Sequence, residues 1–192
     1  MNLVLATTNR HKLFEVSAAL PEWTVEAQPQ VVSYVEETGT TFEANAIIKA
    51  VHTSHFVADL VLADDSGLCI AALAGRPGVY SARYAPGDDA ARIHKVLEEM
   101  AGVPDSSRQA AFVCALALAR RGNVLWTGEG RVDGLIHRVP KGTDGFGYDP
   151  IFWIAEFGRT MAELTIAEKN QTSHRGRALN EFVRHFAGSG SL

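Results

Sequence analysis

Cysteine is scarce in this chain. Its 192 residues hold two, Cys69 and Cys114, too few and too far apart for a disulfide framework or a thiolate metal cluster, and each lies in an apolar run that reads as a buried strand. Neither sign of charge dominates: 18 Lys and Arg face 22 Asp and Glu, a formal charge of −4. With no basic stripe, a nucleic-acid polymer is not the expected partner. Long hydrophobic runs are missing too. Ala110 to Ala119 is about half of the ~20 residues a membrane helix needs, so it reads as buried core and no membrane partner is expected. The start of the chain, Met1 to Lys12, shows no basic segment followed by an apolar stretch and a small-residue cleavage site, so a cytoplasmic protein is expected. No repeat, linker or low-complexity tract breaks the sequence. A 46% hydrophobic and 21% charged composition is that of an ordinary globular protein, read as one domain over residues 1–192.

The pattern of apolar residues predicts an α/β fold with a mixed sheet. Leu3 to Ala6 reads as a strand, and Leu13, Val16 and Leu20 then recur at helical spacing. Thr40 with Glu43 forms a capping-box pattern ahead of a helix marked by Phe42, Ala46 and Ala50 and running toward Phe56. Leu60 to Ala63 predicts a strand that stops at Asp64 and Asp65, with Ser66 and Gly67 turning the chain into Leu68 to Ala72. Gly75 to Gly78 reads as a turn, and Ile93, Val96, Leu97 and Met100 predict a helix after Asp88. Phe112 to Ala119 and Val124 to Gly130 predict an antiparallel hairpin with Gly122 in its turn. Ile151 to Ile154 is one more strand. Thr165 with Glu168 is a second capping box, and a last helix carries Leu179, Phe182, Val183 and Phe186 and stops near Gly188. Trp23, Trp126 and Trp153 stand beside apolar strand residues and read as core.

Several residues in this pattern can carry chemistry. Asn9 and Lys12 open a helix, where free backbone N–H groups and the helix dipole attract phosphate, although no Walker loop is present. The acidic pairs Glu36/Glu37 and Asp64/Asp65 supply carboxylates of the kind that bind Mg²⁺, an ion that takes one or two protein carboxylates and completes its shell with water and phosphate oxygens. Glu36 and Glu37 read equally well as a solvated loop. Asn45 and Lys49 lie four apart and share one side of their helix, so Lys49 can meet a phosphate or simply face solvent. Glycines 142, 145 and 147 surround Phe146 and Tyr148, whose rings can stack on a base or fold into the core. Lys169, His174 and Arg175 gather hydrogen-bond donors near a helix end. His52, His55, His94 and His137 show no partner pattern.

Six motifs occur in order along nearly the whole chain: Ala6–Lys12 (ATTNRHK), Glu36–Ala46 (EETGTTFEANA), Asp64–Leu68 (DDSGL), Gly78–Tyr84 (GVYSARY), Gly145–Phe152 (GFGYDPIF) and Ser173–Gly176 (SHRG). In these the chain resembles the inosine triphosphate pyrophosphatase family, enzymes that remove non-standard purine nucleoside triphosphates, with departures at Thr8 and Asp144. The resemblance implies an elongated mixed α/β fold with two lobes around a nucleotide-binding cleft, a homodimer, and Mg²⁺-dependent hydrolysis of ITP, dITP or XTP to the monophosphate and pyrophosphate. It implies that Thr7, Thr8, Asn9, Arg10, His11 and Lys12 hold the triphosphate, that Glu36 and Asp65 serve the Mg²⁺ ion, and that Asp65 also accepts a proton from water. Ser66 is implied to contact substrate, Lys49 to neutralise phosphate, and Phe146, Gly147, Tyr148, Asp149 and Lys169 to line the pocket. His174 and Arg175 are implied to address the purine. Two other readings are a Maf-like pyrophosphatase for other modified nucleotides, which the Ser173–Gly176 motif disfavours, and a catalytically silent nucleotide-binding module.

Overall fold

In the computed structural model, which describes residues 2–187, strand and helix alternate first and antiparallel strands follow. β1 (Asn2–Leu5) leads into α1 (Arg10–Ala19). Asn9 fixes that helix start, because its Oδ1 accepts from the amides of His11 at 2.9 Å and Lys12 at 3.3 Å, satisfying donors that a helix start leaves open. β2 (Thr24–Ala27) returns beside β1, and α2 (Phe42–Ser54) follows. Its cap is Thr41, whose Oγ1 accepts from the Ala44 amide at 3.1 Å, and not the Thr40–Glu43 box expected. Burying Asn45, Ala46 and Ala50 sets the register of the helix, and that register places Thr41 at the capping position.

β3 (Leu60–Ile70) corrects the largest sequence expectation. Asp64 and Asp65 do not end a strand. They lie in the middle of an 11-residue one, with Ser66 and Gly67 continuing it rather than turning. Gly67 answers a packing demand instead: a Cβ there would fall 2.5 Å from the Gly78 carbonyl oxygen, within the tight helical segment Gly78–Arg83. α3 (Asp89–Glu99), capped by Asp88, comes next. β4 (Gln109–Arg120) then pairs antiparallel with β3 through Asp64↔Leu116, Asp65↔Ala115, Ser66↔Cys114 and Gly67↔Val113. β5 (Asn123–Ile136) follows after a two-residue turn in which Arg121 and Gly122 both take positive φ, 50° and 80°, the geometry that suits a hairpin's twist. β6 (Phe152–Ile154), β7 (Arg159–Thr160), α4 (Ile166–Thr172) and α5 (His174–Ala187) complete the described chain. Gly188, the expected stop of α5, lies outside the described residues.

The sheet order is β2-β1-β3-β4-β5-β6-β7. β1 runs parallel to β2 and β3, and every later pairing is antiparallel, so the sheet is mixed as expected. Side chains alternate along a strand, which divides β3 between two cores. Leu62 faces the one built with Cys114, Leu116, Ala178, Leu179 and Phe182, under α5. Ala63 faces the other, with Ala46, Ala50, Ala115 and Ala117, under α2, where alanines let helix and sheet approach closely. Trp23 and Trp126 pack on the first core. Trp153 is half-buried, stacked on His137 and covered by the Lys141 ammonium. Cys114 is buried, while Cys69 is only partly so. No helix among the described residues is long and apolar enough to cross a membrane.

α5 sits on β5 at Gly130, where a Cβ would collide with the His174 carbonyl oxygen and the Ala178 amide nitrogen. Backbone cannot yield as a flexible side-chain tip does. Gly130→Ala should therefore destabilise the fold by about 1–3 kcal/mol, read as a lower urea midpoint with an unchanged slope. An unchanged midpoint would show that α5 does not rest on this contact.

Candidate active site

Asp64 and Asp65, adjacent on β3, present their carboxylates to opposite faces of the sheet, and each meets the helix on its own side. On the α2 side, Asn45 and Lys49 project together, as residues four apart on a helix do. Asn45 Nδ2 donates to Asp65 Oδ2 at 3.1 Å, and Lys49 Nζ donates to Asp65 Oδ1 at 3.1 Å. Asn45 Oδ1 also accepts from the Gly39 amide at 2.8 Å, tying the preceding segment to the same place. Lys49 Nζ reaches Glu37 at 2.8 Å as well. Burial pushes the Asp65 carboxyl up, and Glu37 adds to this against the pull of Lys49. Burial would lower the Lys49 ammonium, but Asp65, Asp64 and Glu37 outweigh it and raise it. Lys49 is thus a held, charged group rather than a solvated one.

On the α5 side, Asp64 is enclosed. Lys12 Nζ and Arg175 Nη2 each lie 3.0 Å from its Oδ2. Ser66 Oγ donates to the same oxygen at 3.3 Å. Burial alone would raise this carboxyl, but Lys12, Arg175 and Lys49 outweigh it and hold it well below the usual carboxylate range. Arg175 Nη1 donates to Glu15 Oε2 at 2.5 Å, and its guanidinium lies 5.6 Å from the Phe146 ring centroid. His174 stacks on Phe112 with centroids 4.7 Å apart. Burial, then Arg175, pushes its imidazole well below the usual value, so it is neutral near pH 7. Three buried atoms here have no protein partner: Asp64 Oδ1, His174 Nδ1 and Arg175 Nε.

The glycine-rich loop divides its two aromatics. Phe146 is half-buried, beside Arg175 and stacked on His11 at 5.4 Å. Tyr148 folds into the core, where its hydroxyl donates to the Ser81 carbonyl oxygen at 2.9 Å. Asp149 accepts from Lys169 Nζ at 2.7 Å and from the Phe146 amide at 3.3 Å. Burial raises its carboxyl against the nearby ammonium. Gly145 packs so tightly on this ion pair that no Cβ would fit.

Many of these groups border one cavity of about 220 Å³, although Asp64 and Asn45 are not among its lining residues. It is lined by Asn9, Lys12, Lys49, Asp65 and Ser66 together with Phe146, Gly147, Tyr148, Asp149, Lys169, His174 and Arg175. The first loop is brought in only in part: Thr8, Arg10 and His11 are exposed, and Thr7 accepts from the Asn9 amide through Oγ1. Those four residues do not line the cavity. Glu36 is also off it. Exposure alternates along residues 35–40, with Val35, Glu37 and Gly39 half-buried and Glu36, Thr38 and Thr40 exposed. The chain there sends successive side chains to opposite sides, and it is Glu37 that turns inward. Glu15, Phe112, Asp89 and Arg92 line the cavity too and were not singled out in the sequence. Glu15 had one legible sign, its place one helical turn after Lys12. Among the described residues no cluster of three or more His, Cys, Asp or Glu forms a protein-only metal cage.

The buried, neutral His174 carries a pH signature. An imidazole that stays unprotonated in the fold but protonates in the unfolded chain favours unfolding as pH drops below about 6.5. Stability should fall between pH 7 and 5, and His174→Gln should remove up to one proton's worth of the slope, roughly 1.4 kcal/mol per pH unit. Urea titrations at pH 7, 6 and 5 measure this. Equal slopes in the two proteins would contradict a buried neutral imidazole.

Comparison with known proteins agrees with this geometry. The model of the Ham1 family matches residues 3–185. A dITP/XTP pyrophosphatase of Oceanobacillus iheyensis is 47% identical over 189 residues, covering 95% of this chain and 96% of that protein. The dITP/XTP pyrophosphatase of Bacillus subtilis is 53% identical over 152 residues, 78% of this chain and 77% of that one. Among solved structures, a HAM1 protein from Coxiella burnetii superposes with a TM-score of 0.89 at 44% identity, covering 98% of this chain and 100% of that chain. With its mixed sheet, its two carboxylates on β3 and these matches across almost its full length, the chain belongs to the Ham1 family.

Proposed function

We infer that this chain is a nucleoside triphosphate pyrophosphatase that hydrolyses dITP and XTP, and ITP with them, to the monophosphate and pyrophosphate. In this reading it keeps deaminated purines out of nucleic acids and works as a homodimer in the cytoplasm. The observation that carries the reading is a single cavity lined by two cations, Lys12 and Lys49, by the Asp65 carboxylate, and by the aromatic and donor-rich set Phe146, His174 and Arg175. The curated relatives at 47–53% identity carry the activity in their names.

Lys12 and Lys49 offset the negative charge that builds as the bond between the α and β phosphates breaks. Asp65 takes a proton from the attacking water. Its partners Lys49 and Asn45 hold both carboxylate oxygens in place, and burial moves its carboxyl toward the range of a working base. The Glu37 and Asp65 carboxylates, gathered around Lys49, are oxygen donors that suit a hard cation completing its shell with water and phosphate oxygens. Bound by Glu37 and Asp65, Mg²⁺ would supply further positive charge against the leaving pyrophosphate.

Base choice follows from the unpartnered donors. Arg175 Nε has no acceptor within the protein. The 6-oxo group of hypoxanthine or xanthine supplies one, whereas the 6-amino group of adenine sets donor against donor. Sites built to hydrogen-bond their substrate discriminate by ~10⁴ or more.

Pyrophosphate release measured with dITP, XTP, ITP, dATP and dGTP, with Mg²⁺ and with EDTA, tests the reading. The deaminated substrates should be strongly preferred over dATP, EDTA should abolish turnover, and Asp65→Asn should lower kcat by about 10²-fold or more. Equal turnover of dATP, or release of inorganic phosphate in place of pyrophosphate, would contradict it.

A further inference from the structure

One buried carboxylate holds two of the cations that line the cavity without a place in the chemistry above. Asp64 has a fully enclosed side chain, and a single atom, Oδ2, receives Lys12 Nζ at 3.0 Å, Arg175 Nη2 at 3.0 Å and Ser66 Oγ at 3.3 Å. Arg175 Nη2 also donates to Ser66 Oγ at 3.0 Å, so Asp64, Arg175 and Ser66 form a closed ring of contacts with Lys12 attached to it through Asp64. Lys12 belongs to α1 and, in the reading above, meets the phosphates; Arg175 belongs to α5 and, in the same reading, meets the purine. Asp64 is the side chain that touches both. It faces away from the α2 surface on which Asp65, Lys49 and Glu37 gather.

We propose that Asp64 is a positioning residue for substrate selection, a clasp that holds the purine-end arginine and the phosphate-end lysine at a fixed separation. The physical argument concerns stiffness. An arginine side chain has several rotatable bonds, and a guanidinium free to swing avoids a mismatched 6-amino group at little cost. Arg175 cannot swing: Nη2 is fastened to Asp64 and Ser66, and Nη1 to Glu15 at 2.5 Å. A rigid donor makes a mismatched base expensive, and the same carboxylate sets where Lys12 presents its charge. Discrimination at the base and grip on the triphosphate are then coupled through one atom. This role rests on the pyrophosphatase reading, deepens it, and is separate from holding a metal.

The test compares wild type with Asp64→Asn, which keeps the shape and removes the charge, using pyrophosphate release from dITP and dATP, inhibition by inorganic tripolyphosphate, and Mg²⁺ titration. Asp64→Asn should lose more kcat/KM on dITP than on dATP, so that the dITP/dATP preference falls at least ~10-fold. Tripolyphosphate inhibition should weaken as Lys12 loses its anchor, and the Mg²⁺ half-saturation should not move. An equal loss on both substrates means a structural role only, and a raised Mg²⁺ requirement means a metal ligand. Either overturns the clasp. If Asp64→Asn fails to fold, Glu15→Gln loosens the same guanidinium from its other anchor: the preference should fall with tripolyphosphate inhibition unchanged, and an unchanged preference overturns the proposal. Wild type that releases no pyrophosphate from dITP would instead remove the functional reading itself.

Discussion

The site depends on the alternation of side chains along β3. Because Asp64 and Asp65 are neighbours in the middle of a paired strand, their carboxylates must point to opposite faces, and the sheet's two layers of helix then supply a different set of cations to each. α2 brings Asn45 and Lys49 to Asp65, and α1 with α5 brings Lys12 and Arg175 to Asp64. A slip of one residue in the β3–β4 register would exchange the two carboxylates and bury each against the wrong partners. The ten paired positions from Val61↔Ala119 to Ile70↔Ala110, most of them apolar, oppose such a slip.

The electrostatics of the two carboxylates diverge for the same reason. Asp64 is shut in with two cations, so its charge is held firmly, whereas Asp65 shares Lys49 with Glu37 and stays closer to protonation. An enclosed carboxylate with ion partners is suited to fixing geometry. One with a weakly compensated charge, at the edge of a cavity, is suited to moving a proton. Buried ion pairs add little net stability against apolar packing but are costly to break. The apolar cores on either side of the sheet therefore carry the fold, and the charged seam between them is tolerated for what it does.

Much of the fold was legible in the sequence because periodicity reports it: α1, α2, α3, the β4–β5 hairpin and the Thr165–Glu168 capping box all stand where apolar spacing and turn residues put them. β3 was misread because Asp64-Asp65-Ser66-Gly67 has the composition of a turn. Only its long-range pairing with β4 shows that a strand passes through, and Gly67 is explained by the Gly78 backbone and the Ser81 and Phe42 side chains that crowd it. The chemistry-bearing residue types were visible too, yet their grouping was not. Glu36 and Glu37 are indistinguishable by composition, and which of them faces inward depends on the path of residues 35–40. Tyr148 and Phe146 sit two apart in one loop, and Tyr148 alone packs into the apolar core and bonds Ser81, a contact between segments far apart in the chain.

The central claim is that the two carboxylates of β3 do separate work on one bound nucleotide. A crystal structure with Mg²⁺ and a dITP analogue blocked by an imido bridge between the α and β phosphates addresses this directly. The purine should lie beside Phe146 with its 6-oxo group toward Arg175, the α phosphate and the ion should lie beside Asp65, and Asp64 should remain fastened to Lys12 and Arg175. A nucleotide lying outside the cavity, or Asp64 turned to the ion in place of Asp65, would contradict the account.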